Sequence, residues 1–133
     1  MRNKGKIIQV IGAVVDAQFE TSALPALYNA LKVKLEGSKE KSLILEVEAH
    51  LGKGRVRAIA MGSTDGLRRN QQIIDTGGAI SVPVGEVTLG RMFNVTGDPI
   101  DGGAAIKETA ARLPIHRPAP ALKEQAVKSQ ILV

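Results

Sequence analysis

The sequence predicts a mainly β protein that opens with a small closed antiparallel β-barrel of about six strands. Three observations lead to this fold class: short strand-like runs recur at close spacing, glycine-containing turns separate them, and apolar and polar residues alternate within several of them. With 44% apolar and 23% charged residues, the chain has the composition of a folded globular protein. Because Phe19, Tyr28 and Phe93 are its only aromatic residues, we expect an aliphatic core.

The barrel is predicted to begin with two strands on either side of Gly12. Residues 6–11 and 14–19 are rich in β-branched side chains, and a glycine between two such runs indicates a bulge or a sharp bend. Residues 21–31 are predicted to form one short helix or a compact turn. Pro25 suits a first helical turn. The apolar residues of this segment would share one helical face: Leu24, Leu27, Tyr28 and Leu31.

Four further strand-like runs complete the predicted barrel. They are residues 31–35, 43–51, 55–61 and 73–74. A polar turn at 36–41 joins the first two, and a Gly-Lys-Gly turn at 52–54 makes the next pair the strongest hairpin in the chain. Lysines at outward positions are expected to protect any exposed strand edges.

The sequence changes character after residue 80, and we divide the chain there into residues 1–80 and 81–133. The second part has too few apolar residues for a core of its own, so we expect the segment beyond Val82 to be less ordered than the barrel, or to pair with another copy through its exposed strands. Its last residues, 131–133, are aliphatic, which suggests the opening of a domain that continues beyond them. Its predicted elements are an extended pair at 82–85 and 87–95, turns at 96–103, an extended proline-rich connector at 113–120 and the start of a helix at 121–130.

No motif in the sequence supports catalysis, and we assign no catalytic, cofactor-binding or metal-binding residue. A phosphate-binding P-loop needs G-x-x-x-x-G-K-[ST]. The two Gly-Lys pairs, at Gly5 and Gly52, lack both the upstream glycine and the following Ser or Thr. The chain contains no cysteine, which excludes disulfides and thiolate ligands. No apolar stretch approaches the roughly 18 residues of a membrane-spanning helix.

Isolated polar residues are given structural interpretations. Asp16 follows an apolar strand as a Mg²⁺-binding aspartate would, but we interpret it as closing a hairpin or facing outward. His50 and His116 have no partners at metal-ligand spacing and are expected to be solvated or hydrogen-bonded. Asp98 and Asp101 lie in Asp-Pro and Asp-Gly pairs, which are typical of turns and favoured here over a calcium loop.

Four arginines form the densest basic feature of a chain with net charge +5, and we take them as candidate interface residues. They are Arg55, Arg57, Arg68 and Arg69. One interpretation is a surface for nucleic acid or another anionic partner, and the other is a solvated strand face. Proteins that bind single-stranded nucleic acids stack bases on aromatic side chains. Aromatic residues are scarce here, so the sequence favours the second interpretation.

The order of several segments resembles the β subunit of F-type ATP synthases. The resemblance runs through residues 5–19, 24–31, 45–47, 56–67, 82–85, 89–91, 94–95, 97–101, 115–120 and 129–133, and so along essentially the whole chain. The V-P-V-G and L-G-R pieces also occur in α subunits and in flagellar and secretion ATPases, whereas residues 58–67 are more typical of β. The sequence departs from the family at Asn70, where glycine is usual, and in its apolar residues 104–106.

The resemblance implies that residues 1–80 form the N-terminal barrel that joins α and β subunits into a crown. Residues 81–133 would be the first strands and connector of an incomplete α/β nucleotide-binding domain. The implied partners are the α subunits and the rotary central stalk, with no nucleic acid and no direct membrane insertion. The P-loop and the sites for ATP, ADP and Mg²⁺ would lie beyond Val133, in an intact subunit that makes ATP by proton flow.

The implied location is the cytoplasm, in a peripheral complex at the inner face of the plasma membrane or in an organellar equivalent. Two alternatives remain open at this point. One is a free-standing basic barrel that binds nucleic acid, and the other is a fragment that binds α subunits and blocks assembly.

Overall fold

The computed structural model describes residues 3–37 and 42–131 and divides the chain into two compact units, Met1–Ile80 and Ser81–Val133. Most of the predicted polar turn at 36–41, and the last two of the terminal aliphatic residues, Leu132 and Val133, lie outside the described residues.

The first unit is a closed six-stranded antiparallel barrel, which confirms the predicted fold class. Its strands are β1 (Lys4–Ile11), β2 (Val14–Gln18), β3 (Asn29–Lys34), β4 (Ser42–Gly52), β5 (Arg55–Ala60) and β6 (Gln72–Ala79). Around the barrel they follow the order β1-β2-β5-β4-β3-β6, and β6 closes on β1. Closure pairs the backbone groups of all six strands and leaves no free sheet edge.

An aliphatic core fills the barrel, as the composition predicts. Its largest fully buried side chains include Ile7, Leu31, Leu45 and Ile73, and Phe19 is the single aromatic residue of the core cluster. The alternation of side chains along each strand produces this arrangement. On β5, for example, Val56 and Ala58 are buried inside, while the alternating arginines, Arg55 and Arg57, remain exposed.

Gly12 ends β1 and starts a tight turn into β2. Its φ of 57° lies in the left-handed region that glycine enters without steric penalty, and the strands pair directly on either side, with Ile11 opposite Val14. The sharp bend expected at this glycine is therefore present.

Residues 21–28 form turns rather than a helix, which is the second of the two predicted alternatives. Tyr28 has a φ of 68°, which no right-handed helix accommodates, and its N–H donates to the carbonyl of Val47 at 2.8 Å. The helical face expected for this segment does not exist. Leu31 is buried in β3, whereas Leu27 and Tyr28 are exposed.

In the second unit, β7 (Ser81–Pro83) pairs antiparallel with β8 (Arg112–Pro114). The predicted pairing of residues 82–85 with 87–95 is wrong, because Gly85 takes a φ of 95° and the chain enters a 3-10 turn at Glu86–Thr88. The predicted helix at 121–130 is reduced to a 3-10 turn at Leu122–Glu124. Among the described residues of this unit only Pro83 and Gly97 are buried, as expected for a segment with few core-forming residues.

Candidate interface on the barrel surface

The four candidate arginines form two separate groups on the barrel. Arg55 and Arg57 lie two residues apart on β5 and therefore share its outer face. Arg68 and Arg69 lie in the loop at residues 61–71, which follows the other end of β5. The two groups therefore lie on different elements of the barrel, one on a strand and one in a loop.

Arg57 forms a bidentate ion pair with Asp16. Arg57 Nε and Nη2 donate to Asp16 Oδ1 and Oδ2 at 2.9 and 3.0 Å, and the two residues are cross-strand neighbours in β5 and β2. The side chain of Asp16 is 8% exposed and that of Arg57 is 48% exposed. The hydrogen bonding of Arg57 to the Asp16 carboxylate, together with the negative charge of Asp16, raises the pKa of Arg57.

Asp16 thus faces outward, as predicted, because its strand neighbours Val15 and Ala17 belong to the core. Its pairing with Arg57 was not predicted, since the two residues are 41 positions apart. Arg55 has no comparable side-chain partner among the described residues. It is therefore the cation of this strand face with the most freedom to bind another molecule.

The loop that carries Arg68 and Arg69 is held by hydrogen bonds to three other parts of the barrel. Thr64 Oγ1 donates to the carbonyl of Gly12 at 2.7 Å, and the Asn70 N–H donates to that of Ile7 at 2.7 Å. The side-chain amide of Gln71 donates to the Lys34 carbonyl at 2.9 Å. The loop backbone is therefore ordered, although both arginines are exposed.

The remaining polar residues singled out in the sequence occupy structural positions. His50 Nε2 lies 2.7 Å from the carbonyl oxygen of Pro25, which confirms a hydrogen-bonded histidine. Asp98 accepts hydrogen bonds from Thr96 and Asn94, as in an ordinary polar turn. No group of three or more His, Cys, Asp or Glu suited to a metal ion occurs within residues 3–37 and 42–131.

Asp101 is also a turn residue, fixed by a bidentate pair with Arg91. The Arg91 Nε–Asp101 Oδ2 distance is 2.6 Å, and the N–H groups of Met92 and Gly103 donate to the same carboxylate. These hydrogen bonds, that from Arg91 foremost, hold the pKa of Asp101 far below its usual range. The carboxylate is therefore ionised at every physiological pH and neutralises Arg91.

Two exposed apolar residues on the barrel were missed by the sequence reasoning. Leu27 and Tyr28 are 49% and 46% exposed, whereas the helical alternative placed them on one apolar face with Leu24 and Leu31. Pro25 was the one sequence signal for a turn in this segment, because a proline near the middle of an apolar segment is as compatible with a turn as with a helix start. No helix among the described residues is long and apolar enough to span a membrane.

The closed barrel, its aliphatic core and its charged outer strands define the class of protein as a small β-barrel domain. A family model described as the ATP synthase alpha/beta family, beta-barrel domain, matches residues 7–77. The match covers more than half of the 133 residues, with four of the six strands complete and most of the other two. The chain therefore belongs to the ATP synthase alpha/beta family.

We predict that replacing Asn70 by glycine leaves stability unchanged or slightly higher, whereas Asn70→Ala lowers the free energy of unfolding by about 1 kcal/mol. The reason is the φ of 68° at Asn70, a region that asparagine tolerates and alanine avoids. It also explains how asparagine replaces the glycine usual at this position. Urea unfolding followed by circular dichroism measures both variants. Equal destabilisation by glycine and alanine would show that the side chain of Asn70, not its backbone angle, stabilises the loop.

Proposed function

We propose that this chain is the N-terminal portion of the catalytic β subunit of an F-type ATP synthase, and that its barrel joins the barrels of α subunits in a ring. The observation that carries the proposal is the family match over residues 7–77, which spans most of the barrel. The choice of β over α rests on residues 58–67, whose sequence is the most β-like part of the chain. In the structure this segment contains the end of β5 and the start of the following loop, in which Thr64 donates a hydrogen bond to the Gly12 carbonyl.

In this proposal the chain contributes assembly rather than chemistry. ATP or ADP with Mg²⁺ would bind in the part of the intact subunit beyond residue 133, and residues 81–133 would open that nucleotide-binding domain. The central stalk would contact the intact subunit, in a peripheral complex that couples ATP synthesis to proton transport.

The outer face of β5 is the part of the barrel best suited to a lateral contact. Its ion pair between Arg57 and Asp16 makes a rigid, nearly neutral surface, because each charge satisfies the other. Arg55 adds one cation on the same face. A neutral centre with a charge at its rim is typical of protein interfaces.

The intact mass of the protein produced by its source cell tests the proposal first. A mass several-fold above 14.1 kDa, in a complex that also contains an α-type subunit, is the expected result. A cellular product of 14.1 kDa would contradict it. In that case the fragment that binds α and blocks assembly becomes the function to test.

Charge reversal at Arg55 tests the lateral contact directly. We expect Arg55→Glu to weaken association with α-type barrels by about tenfold, because a cation at the contact becomes a repelling anion. Lys123→Glu, an equal charge change outside the barrel, is the matched control. Analytical ultracentrifugation of the mixed subunits measures both variants. Equal association of wild type and Arg55→Glu would show that Arg55 is merely solvated.

A further inference from the structure

We propose that the loop carrying Arg68 and Arg69 is a second interaction surface, which binds a polypeptide segment bearing closely spaced carboxylates. It lies on a loop rather than on the outer face of β5 and does not depend on the ring assembly proposed above. The two surfaces can therefore be tested separately.

The surface is a depression of about 380 Å³ beside this loop. Arg68 and Arg69 line it together with two acidic side chains, those of Glu36 and Asp65. Asn70 lines it as well and also lines a neighbouring depression on β1, so the loop separates two concave surfaces. A depression of this size accommodates a few side chains of a partner rather than a whole helix.

The two arginines have no ion-pair partner in the part of the chain that the structure describes. Arg57 and Arg91 show how this chain uses a guanidinium group, because each holds a carboxylate in a bidentate pair. Guanidinium groups match carboxylates in this fork geometry. Arg68 and Arg69 thus present two unused binding groups side by side.

The loop is already ordered before any partner binds. Besides its bonds to Gly12, Ile7 and Lys34, it has an internal bond from the Arg68 N–H to Gln71 Oε1 at 3.0 Å. A fixed backbone lowers the entropy lost on binding, since only the arginine side chains remain to be ordered. This is the arrangement of a recognition loop rather than of a passive connection.

The charge pattern favours a polypeptide over a nucleic acid. Glu36 and Asp65 balance the two arginines, so the depression carries no net positive charge to attract a polyphosphate. Their carboxylates would repel a phosphate backbone and attract lysine or arginine. A partner segment with two adjacent glutamates flanked by basic residues is complementary to these charges, because its glutamates can pair with the two arginines and its basic residues with Glu36 and Asp65.

Nuclear magnetic resonance titration of the full chain tests the proposal. The probe is a blocked hexapeptide with two central glutamates, a lysine at each end and glycines between them. We expect saturable shifts of the backbone amides of residues 64–71. The matched peptide with glutamines in place of the glutamates should bind at least about tenfold more weakly, because it lacks the charged hydrogen bonds.

Two variants locate the binding. Arg68→Ala/Arg69→Ala should lose at least about tenfold in affinity, whereas Lys4→Ala/Lys6→Ala, which removes the same charge beside the neighbouring depression, should lose less than about twofold. Unchanged spectra elsewhere in the barrel establish that both variants fold. Equal binding of the glutamine peptide, equal loss in the two variants, or no shifts at millimolar peptide would overturn the proposal. So would an octamer of deoxythymidine that shifts the same amides at lower concentration, because the surface would then be a nucleic-acid site.

Discussion

Replacing Leu45 by alanine is expected to lower the free energy of unfolding of the barrel by about 3 kcal/mol. Leu45 is the fourth residue of β4, is 0% exposed, and lies opposite Leu31 and Ala60 on the adjoining strands. The loss combines the transfer energy of the removed carbons with a cavity that a closed barrel has little freedom to collapse. For a unit of this size the change corresponds to a melting temperature lower by about 15 °C.

Urea unfolding followed by far-ultraviolet circular dichroism measures this prediction, with Leu27→Ala as the matched control. Leu27 is 49% exposed, so the same truncation there should cost less than about 0.5 kcal/mol. A similar small effect at both positions would mean that the interior of the barrel repacks freely. That result would contradict the closely packed aliphatic core.

The second large effect is expected at Gly54, in the turn between β4 and β5. Gly54 has a φ of 76°, and a Cβ atom added there would lie 2.3 Å from the carbonyl oxygen of Phe19 and 2.5 Å from Gln18 Nε2. The backbone of Phe19 cannot move away from the added Cβ atom without losing a hydrogen bond, because the Phe19 N–H donates to the Gly54 carbonyl at 2.8 Å. We expect Gly54→Ala to lower the free energy of unfolding by about 3 kcal/mol through backbone strain plus steric overlap.

Gly52 in the same turn provides a closely matched control. It has a φ of 83°, but an added Cβ atom meets nothing within 4 Å. Gly52→Ala should therefore carry the backbone cost alone, about 1 kcal/mol. Equal costs for the two variants in the same unfolding experiment would show that the close approach of Phe19 to Gly54 is relieved without penalty.

The two glycine variants also bear on the proposed lateral contact. Gln18 Nε2 donates to the Lys53 carbonyl at 2.8 Å, so the close approach at Gly54 fixes the turn from which β5 starts. Arg55 is the first residue of that strand. We therefore expect Gly54→Ala, but not Gly52→Ala, to weaken assembly as well as stability.

The sequence was most informative where structure depends on neighbours along the chain. Alternating apolar and polar residues, or runs of β-branched residues, predict the barrel strands, because strand propensity and side-chain period are local properties. The scarcity of aromatic residues predicts the aliphatic interior, and Gly12 predicts the sharp bend into β2, since its φ of 57° suits few other residues. Turn chemistry at Asp98 and Asp101 follows from the same local reasoning.

The candidate site was predicted only in part. The sequence identified all four arginines, but not that two lie on β5 and two in the loop at 61–71, nor that Arg57 is ion-paired with Asp16. Charge density along a sequence does not reveal which carboxylate a folded chain brings within hydrogen-bond distance. Asp16 illustrates the difficulty, because nothing near it in the sequence indicates that Arg57 lies opposite.

By itself the sequence determined the barrel strands, the turns between them, the aliphatic composition of the core and the resemblance to one family. Only the tertiary structure decided that β2 lies beside β5, that β7 pairs with β8 rather than with the residues that follow it, and that Leu27 and Tyr28 remain exposed. The reason is physical. Strand propensity and turn geometry are set by residues a few positions apart, whereas pairing and burial are set by which distant segments lower the free energy of the whole chain when the barrel closes.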